Sequence, residues 1–108
     1  MSSGLDEPAT IAGVVVLALE VDLHLPACHS LKDKRAVIRP VLDGARNRHR
    51  VASAEVGDQD KWQRARLGFA VVGGSPGQVG EVGDAVERFV WSFPEVEVLA
   101  VERSWLDT

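Results

Sequence analysis

The sequence predicts one α+β domain with four strands and two helices in the order βαββαβ. Three observations lead to this prediction. Apolar residues alternate in four short segments, they recur at helical spacing in two longer ones, and Ser, Gly or Pro residues stand at the boundaries. The 108 residues are 45% hydrophobic and 26% charged, which is typical of a globular domain. We expect residues 1–10 to form a flexible tail and residues 11–105 to form the single domain.

The first strand is predicted over residues 11–25, where apolar side chains at the odd positions share one face. The opposite face ends in Glu20, Asp22 and His24, so its second half is expected to meet water or a partner. Pro26 ends the strand because proline cannot continue the ladder of hydrogen bonds.

The first helix is predicted from Ser30, whose hydroxyl can cap a backbone amide in the first turn, to about residue 47. Pro40 lies inside this segment. An interior proline removes a backbone hydrogen bond at a cost of about 3 kcal/mol, so a kink or two shorter helices are alternatives. The predicted buried stripe follows helical spacing and consists of Leu31, Ile38, Val41, Leu42 and Ala45.

The remaining elements follow from the same patterns. Residues 51–56 form the second predicted strand, and a third strand around Phe69 ends at Gly73. The second helix is predicted over residues 76–92, because Ser75 can cap its first turn and Pro76 suits that turn, and the last strand is predicted over residues 97–103. Two helices of this length can cover one face of a four-stranded antiparallel sheet, which predicts a ferredoxin-like split βαβ sandwich with the first and third strands at the centre and the second face open.

The charges are unevenly distributed along the chain. Residues 30–66 contain ten of the twelve Lys and Arg residues but only five of the sixteen acids, although the whole chain has a net charge of −4. This separation favours a surface that binds polyanions, because arginine offers forked donors to phosphate oxygens. The candidate nucleic-acid-binding residues are Lys32, Lys34, Arg35, Arg39, Arg46, Arg48 and Arg64. The alternative is a solvated helix face whose long cationic side chains cover apolar surface.

Trp62 stands in the polar connection between the second and third strands and is a candidate interface anchor. The alternative is that its ring packs over a sheet edge or the first helix. The predicted open face offers small and acidic residues, such as Ala18 and Glu20, rather than aromatic stacking platforms. Any contact with nucleic acid is therefore expected on the helix side, through backbone or shape.

No group of residues forms a catalytic signature, so we predict no enzymatic activity, no cofactor and no metal. Glu20, Asp22 and His24 would lie about 6.6 Å apart at successive positions of one strand face, too far to hold one ion unaided. Cys28 has no internal disulfide partner, which fits a cytoplasmic protein. The apolar run at residues 11–19 lacks a preceding positive region and is too short to cross a membrane.

Three stretches resemble the YlxP-like family of small bacterial domains, whose function is not established. They are Glu20-Val-Asp-Leu-His24, Ser30-Leu-Lys-Asp-Lys-Arg35, and Asp58-Gln-Asp-Lys-Trp-Gln-Arg64 with the following Ala65-Arg-Leu-Gly68. The resemblance spans roughly residues 12–103 and implies a ferredoxin-like fold. It also implies an association with translation and ribosome maturation, because relatives are often encoded near genes for those processes. It brings no active site.

The function expected from these observations is that of a non-enzymatic accessory domain. It would bind structured RNA or a ribosomal particle through the basic first helix and the Trp62 connection. The alternative is a homodimeric or small-ligand-binding module that uses the open face of the sheet.

Overall fold

A computed structural model describes residues 13–106, and the predicted tail over residues 1–10 lies outside this range. The predicted order of elements and the α+β class are confirmed. The elements are β1 (Val15–His24), α1 (Leu31–His49), β2 (Ala52–Gly57), β3 (Arg64–Gly73), α2 (Pro76–Trp91) and β4 (Glu97–Leu106).

The four strands form one antiparallel sheet in the order β2-β3-β1-β4, so β1 and β3 are central as predicted. In the β1–β3 register Leu19 lies opposite Phe69, and both point towards the helices. A bulge beside Asp22 interrupts the pairing of β1 with β4. The topology is that of the ferredoxin-like sandwich, with α1 and α2 on one side of the sheet.

The core lies between the sheet and the two helices. The odd-numbered side chains of β1 and β3 fill it from the sheet side, as the period-two pattern predicted. From the helix side it receives Ile38, Val41, Ala45, Val79, Val86 and Val90. Both helix starts have the predicted serine caps: the hydroxyl of Ser30 accepts from the Asp33 amide at 3.0 Å, and the hydroxyl of Ser75 from the Gln78 amide at 3.3 Å.

The first helix is continuous through Pro40, so the alternative of two shorter helices is wrong. Pro40 and Ala36 both lie on the exposed side of α1. Water can therefore bind the Ala36 carbonyl, which loses its usual amide partner when a proline stands four residues later.

Two strand boundaries differ from the prediction. β1 begins at Val15, after Gly13 adopts a positive φ of 82°, and residues 11 and 12 lie outside the described range. β4 continues to Leu106 because its whole second half pairs with β1. Within residues 13–106 neither helix has the length and apolarity needed to span a bilayer.

Candidate nucleic-acid interface

A line of cations runs along the exposed side of α1, and we call it the α1 crest. Its members are separated by three, four or seven residues, so they share one helix face. They are Lys32, Arg35, Arg39, Arg46 and Arg50, all of them exposed, with Arg50 at the C-cap. At 1.5 Å per residue the crest is about 27 Å long.

Most of the α1 crest is free of acidic partners. Among residues 13–106, no carboxylate lies within the 4.0 Å ion-pair distance of Lys32, Arg35, Arg39 or Arg50. Arg46 is the exception, because its Nη1 lies 2.8 Å from Asp43 Oδ1 and its Nη2 donates to a backbone carbonyl of β2 at 2.7 Å. With respect to residues 13–106, the crest therefore presents four unpaired positive charges and one paired charge.

Arg48 belongs to a different surface. Its guanidinium lies 5.6 Å from the centroid of the Phe89 ring, and the ring of His49 meets Phe89 edge-on at 5.4 Å. Cation–π contact of this kind fixes the guanidinium over α2. Arg48 was predicted to bind phosphate with the crest residues, but the structure places it on the α2 side of α1.

Lys34 is buried, with 2% of its surface exposed, and its ammonium group is fully engaged. The Nζ atom donates to the carbonyl oxygens of Asp58 at 2.6 Å and Lys61 at 2.8 Å, and it lies 2.7 Å from Glu55 Oε2. The two carbonyls accept hydrogen bonds from the ammonium group, and the Glu55 carboxylate balances its charge. The sequence-based inclusion of Lys34 among the phosphate-binding residues does not fit this position.

The burial of Lys34 had a signal in the sequence. Lys34 follows Leu31 by three residues and precedes Ile38 by four, so it falls on the apolar stripe of α1. A lysine at a stripe position is surrounded by apolar neighbours and requires acceptors from elsewhere in the chain. Here Glu55 of β2 supplies the opposite charge, and both hydrogen-bond acceptors come from the segment between β2 and β3.

That segment, residues 58–63, is called the Trp62 loop. The amide of Leu25 donates to the Gln63 carbonyl at 2.9 Å, and Gln63 Nε2 donates to the Cys28 carbonyl at 3.1 Å. Asp58 adopts a left-handed conformation with φ of 57°, which aspartate tolerates better than most residues. The loop backbone is thus bonded at both ends, while 53% of the Trp62 surface remains exposed.

The Asp58 side chain is tied to the next turn of the same loop. A hydrogen bond from the Lys61 ammonium, 3.3 Å from Asp58 Oδ1, lowers the pKa of Asp58, and the positive charges of Lys61, Arg66 and Arg64 act in the same direction. The carboxylate therefore remains ionised well below neutral pH.

Arg64 lies on the open face of the sheet, on the other side from α1. Its Nη2 contacts both carboxylate oxygens of Asp22, at 3.0 and 2.8 Å, and the neighbouring Arg66 lies 3.3 Å from Glu20. The sequence placed Arg64 beside the basic helix, but alternation along β3 turns it to the opposite surface. The basic residues of α1 and those at the start of β3 therefore do not form one continuous patch.

The polar end of the open face consists of two ion pairs and a histidine–carboxylate contact. Glu20 and Asp22 are paired with arginines, and His24 Nδ1 lies 2.7 Å from Glu97 Oε1. Within residues 13–106 no three His, Cys, Asp or Glu side chains are close enough together to hold a metal ion.

The other half of the open face is apolar and hollow. A depression of about 640 Å³ lies over small residues that include Ala18, Ala54, Gly68 and Ala70, with Glu20 and Glu102 also lining it.

Cys28 lies elsewhere, in the core, and burial raises the pKa of its thiol, which is the opposite of what a nucleophilic cysteine needs.

The fold and these surfaces define a small α+β domain with two unlike exterior faces, a cationic helix on one side and an ion-paired, partly apolar sheet on the other. Residues 16–103 match the family described as "Protein of unknown function (DUF503)", and the chain belongs to this family. It is also 40% identical over 76 residues to the "Uncharacterized protein YlxP" of Bacillus subtilis (strain 168), covering 70% of this chain and 83% of that protein. The resemblance to the YlxP-like family is confirmed.

The three stretches that carry the resemblance are joined in the structure. Asp22, in the first, pairs with Arg64, in the third, and Lys34, in the second, binds two carbonyls of the Trp62 loop, which also belongs to the third. The sequence showed the stretches separately and gave no indication that Lys34 connects them.

Proposed function

We propose that this protein is a non-enzymatic accessory domain that docks on structured RNA, free or within a ribosomal particle. The contact runs along the α1 crest, with the Trp62 loop at its edge. One observation carries the proposal: Lys32, Arg35 and Arg39 lie in line on one exposed face of a rigid helix and have no acidic partner among residues 13–106.

Unpaired arginines are suited to phosphate because each one presents several donors without first having to leave a carboxylate. Each phosphate that they neutralise releases counterions, which favours binding at low salt. The acidic remainder of the chain gives the molecule a net charge of −4, so a polyanion is repelled from other surfaces and approaches the crest.

The RNA is expected to be structured rather than an extended single strand. Binding of single strands usually requires several aromatic side chains on which bases stack. The crest residues are basic and contain no aromatic ring. A surface of this kind contacts backbone phosphates, whose spacing is regular only in a helical RNA.

The test compares two double variants that remove the same charge from opposite faces. Arg35→Gln/Arg39→Gln removes two crest cations, and the control Arg64→Gln/Arg66→Gln removes two cations from the open face. Binding to an RNA hairpin is measured by fluorescence anisotropy over a series of salt concentrations, with the folded state of each variant checked by circular dichroism.

The crest variant should bind more weakly at every salt concentration. Its slope of log K against log salt should be shallower by about 1.8 if each arginine contacts one phosphate of a duplex. The control should keep the wild-type slope. Equal losses in the two variants would mean that only total charge matters, and absence of hairpin binding at low salt would overturn the proposal.

The hollow on the open face favours a second candidate function, self-association. Ala18, Ala54, Gly68 and Ala70 carry no charge, so a second copy could cover this part of the hollow without desolvating an ion. Sedimentation of the wild type beside Ala18→Arg tests this candidate, with Ala36→Arg on the exposed side of α1 as the matched control. Self-association is supported if the wild type is a dimer and Ala18→Arg, but not Ala36→Arg, is a monomer. A monomeric wild type would refute it.

A further inference from the structure

The arrangement around Lys34 holds the backbone of the Trp62 loop close to α1. A buried lysine and carboxylate contribute little net stability, because the cost of removing both charges from water offsets their attraction. Both hydrogen bonds of the Lys34 ammonium nevertheless go to carbonyls of a surface loop, at 2.6 and 2.8 Å. What this arrangement does achieve is a fixed position for residues 58–61.

The backbone on both sides of Trp62 is fixed in this way. The carbonyl before it, of Lys61, accepts from Lys34, and the carbonyl after it, of Gln63, accepts from the Leu25 amide. The indole between these two anchors is 53% exposed. An aromatic ring displayed on a fixed backbone loses little conformational freedom when it binds, which favours recognition.

The loop also lies next to one end of the α1 crest. Lys34 belongs to the first turns of α1, between the crest residues Lys32 and Arg35, and its Nζ lies 2.8 Å from the carbonyl that is bonded to the Trp62 nitrogen. Residues 58–61 therefore lie beside the first turns of α1, where the crest begins.

We propose that Trp62 is a stacking platform for an unpaired base that adjoins the helical RNA held by the α1 crest. The inference rests on the proposed function and narrows its ligand to a junction between paired and unpaired RNA. The crest binds the phosphates of the paired part. The indole stacks on the first unpaired base, and because every base has a π face, the contact is tolerant of sequence.

Three RNAs test this inference: a blunt hairpin, the same hairpin with a short unpaired 3′ tail, and the tailed hairpin with abasic sites in place of the tail bases. A hairpin with a 5′ tail covers the opposite polarity. Affinities are measured by anisotropy for the wild type, Trp62→Ala, Trp62→Phe and Arg39→Gln. Because Trp62 is half exposed, its replacement is expected to leave the fold intact, which thermal unfolding checks.

For the wild type, one of the two base-containing tails should tighten binding about tenfold relative to the blunt hairpin, and the abasic tail should not. Trp62→Ala should lose this gain while binding the blunt hairpin as the wild type does, and Trp62→Phe should keep part of it. Arg39→Gln should weaken binding to all the RNAs by the same factor. In a Trp91→Phe/Trp105→Phe background, the base-containing tail alone should quench the remaining tryptophan fluorescence.

The outcomes separate the two proposals. If Trp62→Ala has no effect, or weakens binding to blunt and tailed hairpins equally, the stacking inference fails while the proposed function stands. If none of the RNAs binds, the proposed function fails and the stacking inference fails with it.

Discussion

The α1 crest and the open face of the sheet carry the same kinds of basic side chain in opposite states. On the crest, Lys32, Arg35 and Arg39 have no acidic partner among residues 13–106, whereas on the open face Arg64 and Arg66 each contact a carboxylate of β1. Paired cations are already satisfied within the molecule, and unpaired ones are available to a ligand. The difference shows that the basic composition of residues 30–66 does not describe a single surface.

Lys34 is a third case, in which a cation is removed from water altogether. Its neighbours in sequence, Asp33 and Arg35, are exposed, yet its own ammonium lies among two carbonyls and Glu55. Positive side chains of one short stretch therefore serve three physical purposes. Stability measurements can distinguish these three purposes, because removal of each kind of cation should lower the free energy of unfolding by a different amount.

The largest effect is expected for Lys34→Ala. Loss of the ammonium leaves the partly buried Glu55 carboxylate without its counter-charge and two loop carbonyls without their donor, and breaking a buried pair in this way costs about 3–5 kcal/mol. Urea denaturation measures the change in free energy of unfolding. Lys32→Ala, two residues earlier on the crest, is the control and should change stability by no more than about 0.5 kcal/mol. Equal small changes in the two variants would contradict the structural role of Lys34.

A smaller effect is expected for Arg64→Gln on the open face. The guanidinium of Arg64 is partly exposed, so its pairing with Asp22 should contribute about 1 kcal/mol or less. Arg39→Gln on the crest should cost still less because it breaks no pair. Chemical denaturation of both variants would measure the contrast, and a greater loss for Arg39→Gln would remove the distinction between the two surfaces.

Arg50→Gly is expected to raise the free energy of unfolding, whereas the preceding substitutions lower it. Arg50 caps α1 in the left-handed conformation, with φ of 55°, where a side chain is disfavoured and glycine is the usual residue. The substitution should stabilise the protein by about 0.5–1 kcal/mol. It should also weaken hairpin binding, since it removes a crest cation. Thermal unfolding and anisotropy together measure the two effects, and a destabilised Arg50→Gly would contradict the first.

The smallest effect is expected from the Asp58 carboxylate. The Lys61 hydrogen bond lowers its pKa in the folded state, so the contact stabilises the protein at neutral pH and is lost only as the pH falls below about 4. Asp58→Asn should therefore flatten the acid side of the stability curve without moving its alkaline side. Denaturation midpoints measured between pH 3 and pH 8 would show whether it does.

Much of the fold could be predicted from short-range patterns. Period-two alternation identified β1 and β3, and the serine caps located the starts of both helices, because these signals depend only on neighbouring residues. Pro40 was harder to interpret. The free-energy cost of this proline depends on whether water can reach the Ala36 carbonyl, which loses its amide partner. That depends on which side of α1 packs on the sheet.

The candidate site could be predicted only in part. The run from Lys32 to Arg39 indicated a basic helix face. The assignment of Arg64 to that face was wrong because Arg64 was taken as part of the connection, whereas β3 already begins there and its alternation turns Arg64 to the open face. The position of Lys34 depended on acceptors 24 and 27 residues away. Contacts at that separation are set by the tertiary fold, so local sequence patterns do not predict them.

The position of Lys34 also constrains the order in which the chain can assemble. During synthesis the first turns of α1 leave the ribosome well before residues 58–61, and until those residues arrive the ammonium must stay in water. Docking of that part of α1 on the sheet therefore awaits the β2–β3 hairpin, so the N-terminal half should not reach its native packing as an isolated fragment. One cation thus makes the two halves of the domain fold as a cooperative unit.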